Sequence, residues 1–340
     1  MRHLERWSGF EGQLIGRPVL ASGNVPLHVY RARLAPIFRE VRPDAVYVHH
    51  EPYGAATAQI YRANARTVQA PIGFFTWQNI EKEYPIPFRY TEPWVYRQSA
   101  FAISGSASAR GVLRAKGYDG PIDIGPAGID PAIFFRQDSD AGSRAEVGAQ
   151  HGDLLLGCVG RLVPEKGLLT LLDALAQCRD LPIRLALIGN GPQAEELDRR
   201  TRDLGLQNQV VRRGYVPHTD IARYLATFDV LTIPSETQPN WKEQFGRVII
   251  EAMATGTPVL GSDSGEIPHL IARTGGGWSV PERSADDLAA MLQHIVASPD
   301  ERRDRAAAGH DYVHSTYTHA ALARSFADTV RAATQPTVPA

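Results

Sequence analysis

Leu154-Leu155-Leu156-Gly157-Cys158-Val159-Gly160-Arg161-Leu162-Val163-Pro164-Glu165-Lys166-Gly167 runs from an unbroken apolar segment into a short charged loop. The segment Leu154–Gly160 reads as a strand covered on both faces, as in a parallel sheet. From Gly167 to Gln177, residues Leu168, Leu169, Leu171, Leu172 and Leu175 recur at helical spacing, which predicts a helix. The loop between strand and helix carries Arg161 and Lys166. In open α/β sheets ligands sit beyond the carboxyl ends of the strands, so a planar guanidinium and an ammonium point charge stand where an anion would be held. The P-loop pattern G-x-x-x-x-G-K-[ST] is absent. Two ordinary surface cations are the plain alternative. Lysine is scarce, however: Lys82, Lys116, Lys166 and Lys242 are the only four among 36 cationic side chains, which favours a functional reading of this one.

Outward from this loop the alternation continues. Further strands are expected at Ile183–Gly189, Gln209–Gly214, Val230–Pro234 and Pro258–Ser262, with a helix at Phe245–Ala254. Strands alternating with helices predict an α/β domain with a parallel sheet. Before residue 130 the pattern is looser, with a helix near Val29–Val41 and strands at Ala45–His49, Pro71–Thr76 and Ala100–Ser104, which suits a second Rossmann-like domain. Ile129–Gly152 carries Pro131, mixed charges and a polar run, and reads as an interdomain linker. The expected division is therefore residues 1–130, a linker at 131–152, a second domain at 153–315 and a final helix at 316–334 packing back on the first domain.

Composition limits the function. At 340 residues, 43% hydrophobic and 21% charged, the chain is globular and long enough for two domains. Thirty-six cationic side chains against 37 acidic ones leave a formal charge of −1, so no overall field favours nucleic acid, and an anionic ligand must be met by a local cluster. Cys158 and Cys178 have no C-x-x-C spacing, which argues against a disulfide framework or zinc site and for a reducing compartment. The opening MRHLERWSGF lacks the apolar region of a signal peptide, and no run approaches the ~20 apolar residues of a membrane span. A cytoplasmic protein is expected.

A second informative stretch is Asn240-Trp241-Lys242-Glu243-Gln244-Phe245-Gly246-Arg247-Val248-Ile249-Ile250-Glu251-Ala252. Two carboxylates stand eight residues apart around a helix start, a separation of about 12 Å if helical throughout. The amides of Phe245, Gly246 and Arg247 would be among the donors of the first turn, with the positive end of the helix dipole behind them, so a diphosphate is the natural guest. Glu251 could accept hydrogen bonds from vicinal ribose hydroxyls, with Glu243 nearer a reacting sugar. By itself the spacing is weak, since acids are common near helix starts.

Together, GRLVPEKG and EQFGRVIIEAMATGTPVLGSDSGEIP resemble the retaining glycosyltransferases of the large family-4 class, which have the GT-B fold of two Rossmann-like domains facing a cleft. Leu187-Ile188-Gly189-Asn190-Gly191-Pro192, Gly214-Tyr215-Val216-Pro217 and Gly128-Ile129-Asp130 agree, and the resemblance covers about residues 28–330. It implies that Arg161 and Lys166 hold the donor diphosphate, that Glu251 holds the ribose, and that Glu243 contacts the transferred sugar. Gly246 with the Phe245 and Arg247 amides would line the pyrophosphate; Asn190 and Val216 would lie near the base. The implied catalytic set is Glu243, Arg161 and Lys166, working without a metal because the two cations neutralise the leaving diphosphate. The implied partners are a nucleotide-sugar donor and a glycan or lipid-linked acceptor.

Some features depart from that pattern. The family usually opens with an apolar strand running into a Gly-rich loop, whereas residues 1–25 contain Gly9, Gly12 and Gly16 without such a strand, so the first domain is expected to lack its first strands. Where many relatives place a histidine near the reacting sugar, this chain reads Phe75-Thr76-Trp77-Gln78-Asn79; Gln78 or Asn79 could donate a hydrogen bond there but cannot carry a proton as imidazole does. Asp138-Ser139-Asp140 follows no strand and reads as a solvated loop rather than a metal-diphosphate site. His49 and His50 follow a strand, and consecutive strand residues point to opposite faces, which argues against a shared metal; His50 or Glu51 could face the cleft. Pro87–Arg97 interleaves aromatics with arginines and could touch the inner face of a membrane carrying a lipid-linked acceptor. An amphipathic helix packing its aromatics inward is preferred.

The expected activity is a metal-independent retaining sugar transfer from a nucleoside-diphosphate-sugar in glycan or polysaccharide assembly. A catalytically inactive nucleotide-sugar-binding remnant is one rival. A GT-B-shaped sugar-nucleotide epimerase is another, and the pairing of the two motifs argues against it.

Overall fold

The computed structural model describes residues 11–137 and 141–335. Asp138-Ser139-Asp140 and the opening ten residues lie outside them. The chain divides into two compact units: Met1–Ser104, Val112–Asp123 and Ala327–Ala340 form unit 1, and Gly105–Gly111 with Ile124–Phe326 form unit 2.

Unit 1 contains β1 (Val19–Leu20), β2 (Val29–Tyr30), α1 (Ala35–Val41), β3 (Val46–Val48), α2 (Ala55–Ala65), β4 (Ile72–Thr76), α3 (Phe88–Gln98), β5 (Phe101–Ser104), the second half of α4 (Ala107–Ala115) and most of β6 (Ile122–Ile124). The helix expected from Val29 begins at Ala35 instead. Tyr30 is held extended because the Gln59 side chain bonds both its N–H and its C=O at 2.9 Å, and Pro36 then opens the helix. Among the described residues, the sheet runs β3-β4-β5-β6 without a reversal, and β3 lies at its edge. This is one wing of a doubly wound sheet, where order would reverse beside the first strand. Phe74 on β4 is the hub of the core, stacked on Tyr96 at 5.6 Å and edge-on to Tyr118 at 5.4 Å. On α3, Glu92, Val95 and Tyr96 turn inward, but Tyr90 is 64% exposed, so the inward packing expected of that helix's aromatics is incomplete.

Unit 2 continues with α5 (Ala141–Glu146), β7 (Leu154–Val159), α6 (Leu168–Gln177), β8 (Ile183–Ile188), α7 (Ala194–Asp203), β9 (Val210–Arg213), α8 (Ile221–Leu225), β10 (Val230–Ile233), α9 (Arg247–Ala254), β11 (Val259–Ser262), α10 (Ile267–Thr274), β12 (Gly277–Val280), α11 (Ala285–Ala297), α12 (Pro299–Thr316) and α13 (His319–Thr334), which ends in unit 1. Its sheet is parallel in the order β12-β11-β10-β7-β8-β9. Numbered from β7 this is the 3-2-1-4-5-6 arrangement, with its switch point between β7 and β10. All five strands expected here form. The sixth, β12, is hidden in the sequence because Gly275-Gly276-Gly277 reads as a turn.

The linker expected at Ile129–Gly152 is instead part of unit 2. Arg144 donates to the Thr227 carbonyl at 2.8 Å, the Asp153 carbonyl at 3.0 Å and Asp229 Oδ2 at 3.1 Å, while Phe134 is buried and Ile129 bridges to Thr318. Asp229 also accepts from the Leu155 amide at 2.8 Å, so one arginine–carboxylate pair fixes this segment to the base of β7 and β10. No helix among the described residues is long and apolar enough to cross a membrane.

Candidate functional site

The loops that leave β7 and β10 meet at the switch point. After β7, Pro164–Lys166 form one 3₁₀ turn, and Gly167 reverses the chain at φ +63° to start α6. A Cβ at Gly167 would fall 1.9 Å from the Pro234 carbonyl oxygen, so only hydrogen lets the two loops touch. The Glu236 amide then donates to the Glu165 carbonyl at 2.9 Å and stitches them together. Gly167→Ala is expected to cost unit 2 roughly 2 kcal/mol, from left-handed strain plus the displaced loop. Urea unfolding monitored by tryptophan fluorescence measures it, and an unchanged midpoint would contradict the contact.

Lys166 reaches across this junction. Its Nζ lies 2.5 Å from Glu243 Oε2 and 5.2 Å from the centre of the Trp241 ring, and Ser235 Oγ lies 3.2 Å from the same carboxylate oxygen. Arg161, Lys166 and Glu243 line one pocket with Cys158, Ser235 and Val248. Its volume is about 20 Å³, room for about one water, with the Lys166–Glu243 pair in its wall. Arg161 is largely exposed and pairs loosely with Glu165 at 3.4 Å. Burial pushes the Cys158 thiol up to about 11. Its alkylation in the folded chain should therefore still be climbing at about pH 9.5, rather than levelling off near the ~8.5 of a free thiol. Mass spectrometry of iodoacetamide-treated native protein across pH checks this.

Glu243 and Glu251 do not share a helix. Gly246 adopts φ +69° as the residue before α9, so the helix begins at Arg247 rather than Phe245, and Glu243 stands in the preceding loop. The 12 Å helical separation does not apply, and the Phe245 amide precedes the first turn. The Phe245 ring is buried, edge-on to Tyr317 at 5.9 Å. Glu251, one turn into the helix, is nearly buried and accepts from Arg247 Nε at 2.8 Å. His218 Nε2 lies 2.9 Å from both Glu251 Oε1 and an Arg247 amino nitrogen. Since arginine can only donate, His218 either accepts from Arg247 or donates to Glu251, according to its tautomer.

Asn190 and Val216 lie on the loops after β8 and β9. The Asn190 carbonyl accepts from the Leu162 amide at 3.0 Å, and a methyl placed on Gly214 would sit 3.5 Å from Asn190 Oδ1. The structure thus gathers Arg161, Lys166 and Glu243 into one group and Arg247 and Glu251 into another, with Asn190 tied to the first loop. Sequence reasoning missed His218, Ser235 and Trp241. Trp241 is two residues from Glu243 within a motif already singled out, and His218 closes the Gly214–Pro217 stretch.

In unit 1, Glu51 accepts from Thr76 Oγ1 at 2.6 Å and the Trp77 amide at 2.8 Å, and burial raises its pKa above the usual carboxylate range. Gln78, oriented to satisfy both neighbours, donates to Glu92 at 3.2 Å and accepts from Lys116 at 2.9 Å. Gln78 is thereby committed to this network. His49 stacks on Phe75 at 4.4 Å, and His50 bonds Thr57 Oγ1 at 2.9 Å.

A family profile described as "Glycosyl transferases group 1" matches residues 140–311, half of the chain and the larger part of unit 2. The chain belongs to this family. Among its relatives, a "GDP-mannose-dependent alpha-(1-6)-phosphatidylinositol monomannoside mannosyltransferase" of Mycobacterium tuberculosis is 30% identical over 68% of this chain and 60% of its own length. A "D-inositol 3-phosphate glycosyltransferase" of Segniliparus rotundus is 31% identical over 55% of this chain and 42% of its own. The chain thus spans about half the length of the curated relatives it matches. In three dimensions the family's GT-B fold is evident: the chain superposes on Anabaena Alr3699/HepE, solved in complex with UDP, with a TM-score of 0.76 over 88% of this chain and 81% of that one, at 22% identity.

Proposed function

We propose that this chain transfers a sugar, with retention of anomeric configuration, from a nucleoside-diphosphate-sugar to an acceptor in glycan or polysaccharide assembly. The observation that carries the reading is the convergence of Lys166 and Glu243 at 2.5 Å, beside Arg161, at the switch point of the unit 2 sheet. Family membership and the relatives' printed activities support it.

In this reading Arg161 and Lys166 take the diphosphate, Glu251 the ribose hydroxyls and Glu243 the sugar. Gly246 and the Phe245 and Arg247 amides lie along the pyrophosphate, and Asn190 and Val216 flank the base. The bond from the anomeric carbon to the diphosphate oxygen breaks, the acceptor oxygen bonds to that carbon on the same face, and the acceptor's proton passes to the departing phosphate oxygen. Charge builds on the leaving group, and two preset cations stabilise it without a metal. Donor binding turns Lys166 from Glu243 toward phosphate and frees the carboxylate for sugar hydroxyls. The acceptor is a glycan or a lipid-linked polyol, as the relatives' names suggest.

Calorimetric titration of the full chain with UDP, GDP and ADP tests the donor site. One nucleotide is expected to bind with a Kd between about 1 μM and 1 mM, and sugars on that nucleotide then form the activity panel. Binding of none by the folded chain overturns the proposal. Binding without transfer to any acceptor favours a noncatalytic nucleotide-sugar-binding protein.

A further inference from the structure

Unit 1 carries two adjoining grooves far larger than the switch-point pocket, about 730 and 700 Å³. The first runs among α1, α2 and the start of α3; the second lies between the end of α2 and α3. Both are lined by Arg62, Arg66, Pro87 and Thr91, so they form one continuous channel. Arg33 and Arg39 add to the first and Arg97 to the second. No aspartate or glutamate lines either groove.

These five arginines are exposed, and among the described residues none is paired with a carboxylate. Among the described residues, exposed arginines elsewhere either have an acidic partner, as Arg303 and Arg331 do, or lack one, as Arg199 does; this group is set apart by its gathering along one channel with no acidic lining residue. Arg62 instead lies 5.6 Å over the Trp94 ring. Tyr90, which lines the second groove, is 64% exposed and Ile86, next to Pro87, is 68% exposed, so large apolar side chains stand exposed beside the channel. Tyr90 belongs to the stretch whose aromatics only partly turn inward, and Ile86 immediately precedes it.

We propose that this face of unit 1 docks on an anionic phospholipid surface. Arg39, Arg62 and Arg97 stand on three different helices, with Arg33 just before α1 and Arg66 just after α2, a spread that suits an array of phosphate headgroups better than a single phosphate. Bound this way, the guanidinium groups meet headgroup phosphates and Ile86 and Tyr90 enter the interface. The inference is independent of the donor site, since every residue it uses lies in unit 1.

Vesicle flotation of the full chain tests it, using phosphatidylcholine vesicles with or without about 30 mol% phosphatidylglycerol, at about 50 and about 300 mM salt. Binding is expected to the anionic vesicles alone and to weaken with salt. Arg39→Glu/Arg66→Glu should lower it at least about tenfold. The matched surface control Arg199→Glu/Arg303→Glu should retain it, and nucleotide affinity should be unchanged in both. Equal binding to neutral vesicles, no binding, or full binding by the Arg39/Arg66 variant overturns the proposal. So does release of the chain by millimolar glycerol phosphate, which would reassign the channel to a soluble phosphate ester.

Discussion

Lys166→Ala is expected to lower kcat for sugar transfer by about 10²–10³-fold, the scale seen when one preset group facing a developing charge is removed. The argument follows from what the side chain does in each state. Without substrate, Lys166 neutralises a carboxylate whose residue is 8% exposed, at 2.5 Å. In the transition state the same ammonium would face the departing diphosphate, and Arg161, which is largely exposed, would have to manage alone. Truncation also removes the cation at 2.5 Å from Glu243, which keeps Ser235 at 3.2 Å among its contacts. Losing the neutralising charge beside a nearly buried carboxylate costs folding free energy, about 1–3 kcal/mol at this partial burial. The two effects separate in the double variant Lys166→Ala/Glu243→Gln. It should regain most of the lost stability, because the buried negative charge is gone, yet recover no activity. Lys166→Arg should fold normally but transfer slowly, since a planar fork does not replace a point charge beside the Trp241 ring. Steady-state transfer rates and thermal melting of the four proteins decide it. Activity of Lys166→Ala within about tenfold of the parent would remove Lys166 from the leaving-group site.

The difference between what this sequence reveals and what it hides is one of range. Strand β7, its cationic loop and α6 are legible because apolar continuity, Gly167 and leucine spacing lie within one short window. The partnership of Lys166 with Glu243 bridges 77 residues, and only the resemblance brought them together. Nothing local marks Arg144 as an anchor, since its acceptors Thr227 and Asp229 lie 83 and 85 residues away; a polar segment bound at such distance looks like a linker. The start of α9 was misplaced for a different reason. Gly246 is compatible with helix or left-handed turn alike, and its φ is set by the surrounding loop rather than by its own chemistry. His218 escaped notice because an exposed histidine after a Pro has no pattern of its own until the loop after β9 is laid against α9.

Glu251→Gln is expected to weaken nucleotide binding by about 10²-fold while leaving stability nearly unchanged, and that contrast is what identifies a ligand-facing carboxylate. Glu251 is nearly buried, its side chain only 6% exposed, so its oxygens must have partners in every state. Here they are Arg247 and His218, whose side chains are 52% and 49% exposed. Both can turn to water at little cost when the carboxylate is lost, so the usual penalty for breaking a buried pair does not arise. A vicinal diol on the ribose has no such freedom. Its two hydroxyls would donate to an ionised carboxylate, and the amide offers one weaker acceptor oxygen and one donor in place of two charged acceptors. The loss should therefore fall on affinity, and nucleotides that keep the ribose hydroxyls should lose more than their 2′-deoxy counterparts, which already lack one contact. Titration of the parent and Glu251→Gln with the ribo- and deoxynucleotide completes a double-mutant cycle across the proposed hydrogen bond. Equal losses for both nucleotides would place Glu251 in support of α9 and its Arg247 partner rather than on the ribose.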